Sequence, residues 1–319
     1  MKKIVSLTCA LMFFALLIVF PDVASASAAK GLKMCAGLII PSLFPFFIAT
    51  KLIGELGLAN GLGTLFAPVC RRLFNVSGNG GTAFIIGITA GYPMGASYIA
   101  SLREKNEVSK TEAERLLIFC NNSGPSFIIG AAGIGVFKSS SIGLFLYAVH
   151  ILAAVIGGII FAPGSAQSSS VISRKANSTG FAVAFTNAVK ASVNACLSIC
   201  GFIVIFSVLT GILDETGAFT AAARLLSSVF GKELIWSRAL LMGIFELGNA
   251  IGAMNGLGAE PLNLALAAFI LGWGGISVHF QTLSVLASTD IKTARYMIGR
   301  FVIALIGSAL ALLGAAVMF

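Results

Sequence analysis

Long apolar stretches, each interrupted or bounded by a few glycines, prolines and polar residues, make up most of the chain. Residues 4–20 form the first. They follow Lys2-Lys3 and precede Ala24-Ser25-Ala26, an arrangement shared by cleaved leaders and by first membrane helices. The run is long enough to cross a bilayer, and we read it as a retained helix. Residues 31–57 predict a second helix, kinked at Pro41 and Pro45. Residues 58–81 read as a Gly-rich connection carrying Arg71-Arg72, and residues 82–101 as an apolar segment broken at Gly91-Tyr92-Pro93. A polar loop (102–115) leads to residues 116–137, cut at Asn121-Asn122-Ser123-Gly124-Pro125, and then to an unbroken span at 141–162.

A Ser-rich linker, residues 163–179, divides the chain almost in half, and the plan then repeats. A long segment (181–213) precedes a break around Glu246-Leu247-Gly248-Asn249, a second break over Gly272–Gln281, and a span at 292–318. Gly91 with Gly95-Ala96 matches Gly248 with Gly252-Ala253, and 17 residues separate the second break from the unbroken span in each half. The chain therefore divides into an N-terminal helix and connection (1–29), a first repeat (30–162), a cytoplasmic linker (163–179) and a second repeat (180–319). If 82–101 and 237–260 are re-entrant hairpins, each half crosses three times and the second half is inverted. The loops with Arg71-Arg72, Arg103–Arg115, Arg174-Lys175 and Lys292–Arg295 then all face inward, as the positive-inside rule requires. The expected architecture is an all-α polytopic membrane protein with inverted repeats, two re-entrant helical hairpins and broken transmembrane helices.

Composition narrows the function classes. Of 319 residues, 57% are hydrophobic and 10% charged, more apolar surface than a soluble fold of this size can hide. The net charge of +9 reads as inward-facing Lys and Arg rather than as a nucleic-acid surface. Six cysteines show no C-x-x-C spacing; Cys196 and Cys200 share a helical face and read as packing residues rather than a metal pair. No hydrolase or phosphate-loop motif is present, so neither an enzyme nor an ATP-driven pump is expected.

The candidate chemistry lies at the breaks. Irregular backbone at membrane depth is tolerated where it is buried in protein or lines a wet cavity, and paired broken helices in matching halves point to a midplane binding site. Helix N-termini freed there carry partial positive charge and suit an anion. The expected substrate-binding residues are Gly91, Tyr92, Pro93, Asn121, Asn122, Ser123, Gly124, Asn249, Ser277, His279 and Gln281. Glu246, the acidic residue well inside a candidate membrane segment, is the expected proton or Na⁺ coupling group. His150 rides on an unbroken span and reads as structural. No metal or organic cofactor is expected.

The motifs Pro41-Ser42-Leu43-Phe44-Pro45-Phe46-Phe47, Gly91-Tyr92-Pro93-Met94-Gly95-Ala96, Glu112-Ala113-Glu114-Arg115-Leu116 and Asn121-Asn122-Ser123-Gly124-Pro125, in that order, resemble the sporulation integral membrane proteins that carry nucleoside-recognition "gate" domains. The resemblance implies two gate-like repeats laid out as in concentrative nucleoside transporters, with hairpin tips and broken helices holding the solute. It also implies a bacterial cytoplasmic membrane, the outer forespore membrane in a sporulating cell, and dipicolinate, a small aromatic dicarboxylate, as cargo. The expectation is thus a secondary transporter or facilitator of a small anionic metabolite, whose partners are that solute, the lipid bilayer and, in an assembly, further copies of the chain. The alternatives are a nucleoside transporter and a membrane scaffold that moves no solute.

Overall fold

The computed structural model describes residues 2–56, 58–162 and 180–318, and every regular element among them is helical. Helix α1 (Lys2–Val19) turns by 101° at Phe20-Pro21 into α2 (Pro21–Met34), because Pro21 lacks the N–H that would continue the ladder. A π-helical turn (Cys35–Ile39) joins α2 to α3 (Ile40–Glu55) just before Pro41. The second helix therefore starts ten residues earlier than residue 31. Ala24-Ser25-Ala26 lies inside α2, which packs closely on the 35-residue α9 (Phe181–Glu215). Small residues make that approach possible: a Cβ on Gly31 would meet Ser207 Oγ at 3.0 Å, and Gly211 faces Ser27.

Residues 58–81 are not a simple connection. They contain α4 (Leu58–Phe74) and the start of α5 (Gly78–Ala90). Helix α10 (Ala218–Phe230) likewise fills part of the mixed-charge stretch after α9. Both helices are short and amphipathic: α4 buries Cys70 and Phe74 and exposes Leu65 and Val69, while α10 buries Phe219 and Ala223 and exposes Leu225 and Val229. Apolar exposure carries little cost beside lipid tails, which are as apolar as leucine.

The remaining elements form two matching series. In the first half, α5 and α6 (Met94–Glu104) make a hairpin, α7 (Lys110–Cys120) and a π-helix (Ser126–Val136) make a broken helix, and α8 (Ser140–Ile160) closes the repeat. In the second half, α11 (Leu234–Phe245) and α12 (Leu247–Ala253) make the hairpin. There α13 (Pro261–Trp273) and α14 (Gly275–Leu286) make the broken helix, and α15 (Ala294–Met318) closes. Among the described residues, four helical runs, Ser140–Ile160, Phe181–Glu215, Pro261–Leu286 and Ala294–Met318, are long and apolar enough to cross a membrane.

Two ion pairs mark the opposite ends of the bundle. Arg103, at the open end of the first hairpin, grips Asp290 after α14 with both Nε (2.9 Å) and Nη2 (3.1 Å). That guanidinium holds the Asp290 carboxyl below its ordinary range. Arg238, near the open end of the second hairpin, pairs with Asp214 at the far end of α9 (2.6 Å). The hairpins thus enter from opposite ends, as inverted repeats require. The end carrying Arg103, Lys105, Lys110, Lys292 and Arg295 is the one that the positive-inside rule assigns to the cytoplasm. The linker 163–179 lies outside the described residues.

Candidate solute-binding site

Three of the four breaks line one cavity, and the fourth, at Gly274-Gly275, packs against Glu246 beside it. Gly91 and Tyr92 from the first hairpin tip, Ser123 and Gly124 from the first broken helix, Glu246 and Gly248 from the second hairpin tip, and Gln281 from α14 contribute to its wall. Leu43, Ile199 and Ile203 supply apolar surface from α3 and α9. The water-accessible space is small, about 40 Å³, so admitting an organic solute requires the walls to move apart.

Each tip rests against the neighbouring break in its own repeat. Gly91 has φ +80°, and a Cβ there would stand 2.7 Å from the Gly124 amide nitrogen, so both the backbone conformation and the close approach require glycine. Pro93 follows Tyr92 through a cis peptide and precedes α6. In the second repeat, Gly274 and Gly275 both have φ +83°, and a Cβ on Gly275 would lie 3.0 Å from the Glu246 nitrogen.

Glu246 is 3% exposed and caps α12. Its Oε1 accepts from the Gly248 N–H (2.8 Å) and its Oε2 from the Asn249 N–H (2.6 Å), satisfying two of the amides that a helix start leaves without partners. It forms no ion pair among the described residues. The carboxylate therefore faces the cavity while holding the second hairpin tip together.

The other expected site residues divide between the cavity wall and the layer behind it. Tyr92, on the wall, donates its hydroxyl to the Leu271 carbonyl of the opposite repeat (2.9 Å). Gln281 is on the wall and donates to Ser277, one turn back and behind it (3.4 Å). Asn121 points away, donating to Thr282 (2.9 Å) and Tyr296 (3.1 Å). His279 bonds Tyr296 through Nδ1 (3.1 Å) and lies edge-on to Trp273. Asn249 donates to Ser207 on α9 (3.0 Å), tying the second tip to that helix. Asn122 donates to Phe119 O (2.6 Å), and its Oδ1 is held from behind.

The residue holding it, Arg300, was not among the expected ones. Arg300 is 0% exposed and is the largest fully buried side chain described. Its Nη1 donates to Asn122 Oδ1 (3.0 Å) and its Nη2 to the Gly272 carbonyl at the end of α13. It has no ion-pair partner among the described residues. A signal was available in the sequence: a cation well inside an apolar span with no acidic neighbour, in a region read only for its length. His150 occupies the corresponding place in the first repeat, 26 residues after Gly124 where Arg300 is 25 after Gly275. Its Nε2 accepts the Ser123 N–H (3.1 Å), so it satisfies a break rather than a solute. Cys196 and Cys200 are buried packing residues on α9.

Known proteins resemble the chain in sequence and in fold. Residues 37–173 match the gate family, described as nucleoside recognition. The sporulation integral membrane protein YlbJ of Bacillus subtilis (strain 168) is 31% identical over 307 residues, covering 88% of this chain and 74% of that protein. The chain belongs to the YlbJ family. Among solved structures, CNTnw, a concentrative nucleoside transporter in an outward-facing state, superposes with a TM-score of 0.56. The match covers 99% of this chain and 85% of that one at 12% identity. This YlbJ-family chain is therefore an integral membrane protein with a transporter's fold, and its gate-family match takes in the first hairpin and the first broken helix.

Proposed function

We propose that the protein is a secondary transporter or facilitator of a small carboxylate anion, with dipicolinate as the leading candidate and Glu246 as the group that couples movement to H⁺ or Na⁺. The convergence of both hairpin tips, the first helix break and α14 of the second broken helix on one cavity carries this reading; a scaffold has no use for it. The anionic preference rests on charge. Arg300 places a full positive charge one residue layer behind the first-repeat wall with no carboxylate to neutralise it, and helix N-termini at Gly124 and Gly275 add partial positive charge. Glu246, on the same cavity, would repel an anion unless a proton or metal cation arrives with it, which makes co-transport the natural consequence.

A nucleoside is the second reading. The gate family's description and the CNTnw fold favour it, and Glu246 and Gln281 could accept and donate hydrogen bonds to sugar hydroxyls. Uptake into proteoliposomes containing the purified chain separates the two. Dipicolinate is expected to enter, driven by a proton or sodium gradient, and uridine is not; Glu246→Gln is expected to remove the gradient dependence. Uridine uptake without dipicolinate uptake would reverse the order of the readings, and entry of neither solute would restore the scaffold.

A further inference from the structure

Glu246 excludes a carboxylate from one side of the cavity, which leaves the other side to receive it. We propose that this opposite side, at Ser123 and Gly124, is a carboxylate subsite, with Arg300 as the positioning residue that supplies its charge. The inference rests on the proposed transport of an anion and assigns the atoms that would receive it.

Three independent features coincide there. Ser123 is 1% exposed, lines the cavity, and its hydroxyl meets no hydrogen-bond partner of good geometry among the described residues; the Tyr92 hydroxyl beside it is committed to the Leu271 carbonyl. A buried hydroxyl without a partner is costly, and a bound acceptor would satisfy it. Gly124 and Pro125 lead directly into the 11-residue π-helix Ser126–Val136; the Phe127 and Ile128 amides turn back to the Gly124 carbonyl (3.2 and 3.1 Å), and the positive end of the helix lies at this segment. Arg300 donates to the side chain of Asn122, the residue immediately before Ser123, at 3.0 Å. Its charge is fixed at all relevant pH values, and neutral oxygens of Asn122 and Gly272 are the acceptors it has.

The arrangement also decides against a metal ion at the same spot. A buried guanidinium one layer away repels a cation, so any Na⁺ belongs on the Glu246 side. The cavity is thus polarised across its width: donors and positive charge on the first-repeat wall, a carboxylate on the second. A solute with one carboxylate would be oriented by it; a dicarboxylate would need the Glu246 side protonated or cation-bound.

Calorimetric binding to the purified full-length chain tests this with pyridine-2,6-dicarboxylate, its neutral diamide and uridine as probes. Wild type is expected to bind the dicarboxylate at least about tenfold more tightly than the diamide. Ser123→Ala should weaken the dicarboxylate about tenfold and leave the diamide within about twofold. Arg300→Lys, which keeps the charge, should retain the preference, and Arg300→Gln should abolish it. If Arg300→Gln does not fold, Ser123→Ala and Arg300→Lys still decide. Dicarboxylate binding that Ser123→Ala leaves unchanged would overturn the subsite alone. Binding of uridine with no binding of the dicarboxylate would overturn the anionic reading on which it rests.

Discussion

The two hairpins solve one problem, turning a chain inside a bilayer, by opposite means. The first turns with backbone alone, through a left-handed Gly91 and Tyr92-Pro93. Its two arms press directly on the end of α7, where a Cβ on either Gly87 or Gly95 would overlap the Cys120 carbonyl. The second turns through a side chain, the carboxylate of Glu246, and its return arm buries Ala250 and Ile251 but leaves Gly252 in the open, where a Cβ would meet nothing within 4 Å. The adjacent breaks differ in the same sense. In the first, a neutral imidazole acceptor on α8 takes the Ser123 N–H; in the second, a guanidinium donor on α15 takes the Gly272 carbonyl. The comparison teaches that the first hairpin and its broken helix form one close-packed body, whereas the second repeat holds both ionisable groups on which the site depends.

The most damaging single test of that contrast is Gly95→Ala. One methyl group would be forced into a carbonyl on a backbone that has no room to retreat, and overpacking of this kind costs about 3 kcal/mol or more. Thermal unfolding in detergent should show a strongly destabilised protein; wild-type stability would mean the first hairpin is not bolted to α7. The next effect belongs to Arg300. Arg300→Met strands Asn122 Oδ1 and the Gly272 carbonyl, at a cost of about 3 kcal/mol, while His150→Phe strands one backbone N–H and should cost about 1–2 kcal/mol. A larger loss at position 150 than at 300 would break the assignment of unequal roles to the two closing helices.

These positions also show what the sequence could and could not reveal. The four breaks were legible because clustered glycine, proline and polar residues at membrane depth mark backbone that has left the helix, and the inverted order followed from where Lys and Arg cluster. The helices α4 and α10 and the early start of α2 were not legible. Gly61, Gly63 and Pro68 lower helix propensity, and Ala24-Ser25-Ala26 reads as a cleavage motif in sequence, with nothing in it to announce a helix packed on α9. Polar residues at a break look alike in sequence whether they face the cavity or the layer behind it. Side-chain direction separates Ser123 and Gln281, on the wall, from Asn121 and His279, which are bound to Tyr296. Arg300 was hidden by its surroundings: an apolar span invites counting its length rather than asking what its one interior cation touches.

Two smaller effects sharpen the contrast on the side of the second hairpin. Glu246→Gln keeps one acceptor but sets an amide NH₂ against the other N–H, so α12 should lose about 1 kcal/mol of capping while gradient-driven uptake is lost. Loss of folding in place of loss of coupling would make Glu246 a cap and nothing more. Gly252→Ala should act in the other direction. Position 252 is helical, has no positive φ and has open space where the methyl would go, so alanine removes conformational freedom from the unfolded chain without a clash. The expected gain is about 0.5–1 kcal/mol, read as a higher midpoint of thermal unfolding. Because Gly95 and Gly252 occupy matching places in the two repeats, opposite signs for the same substitution would show that the packing of the repeats, and not the amino acid, separates them. A loss at Gly252 comparable to that at Gly95 would mean that the second hairpin closes on its neighbours as tightly as the first.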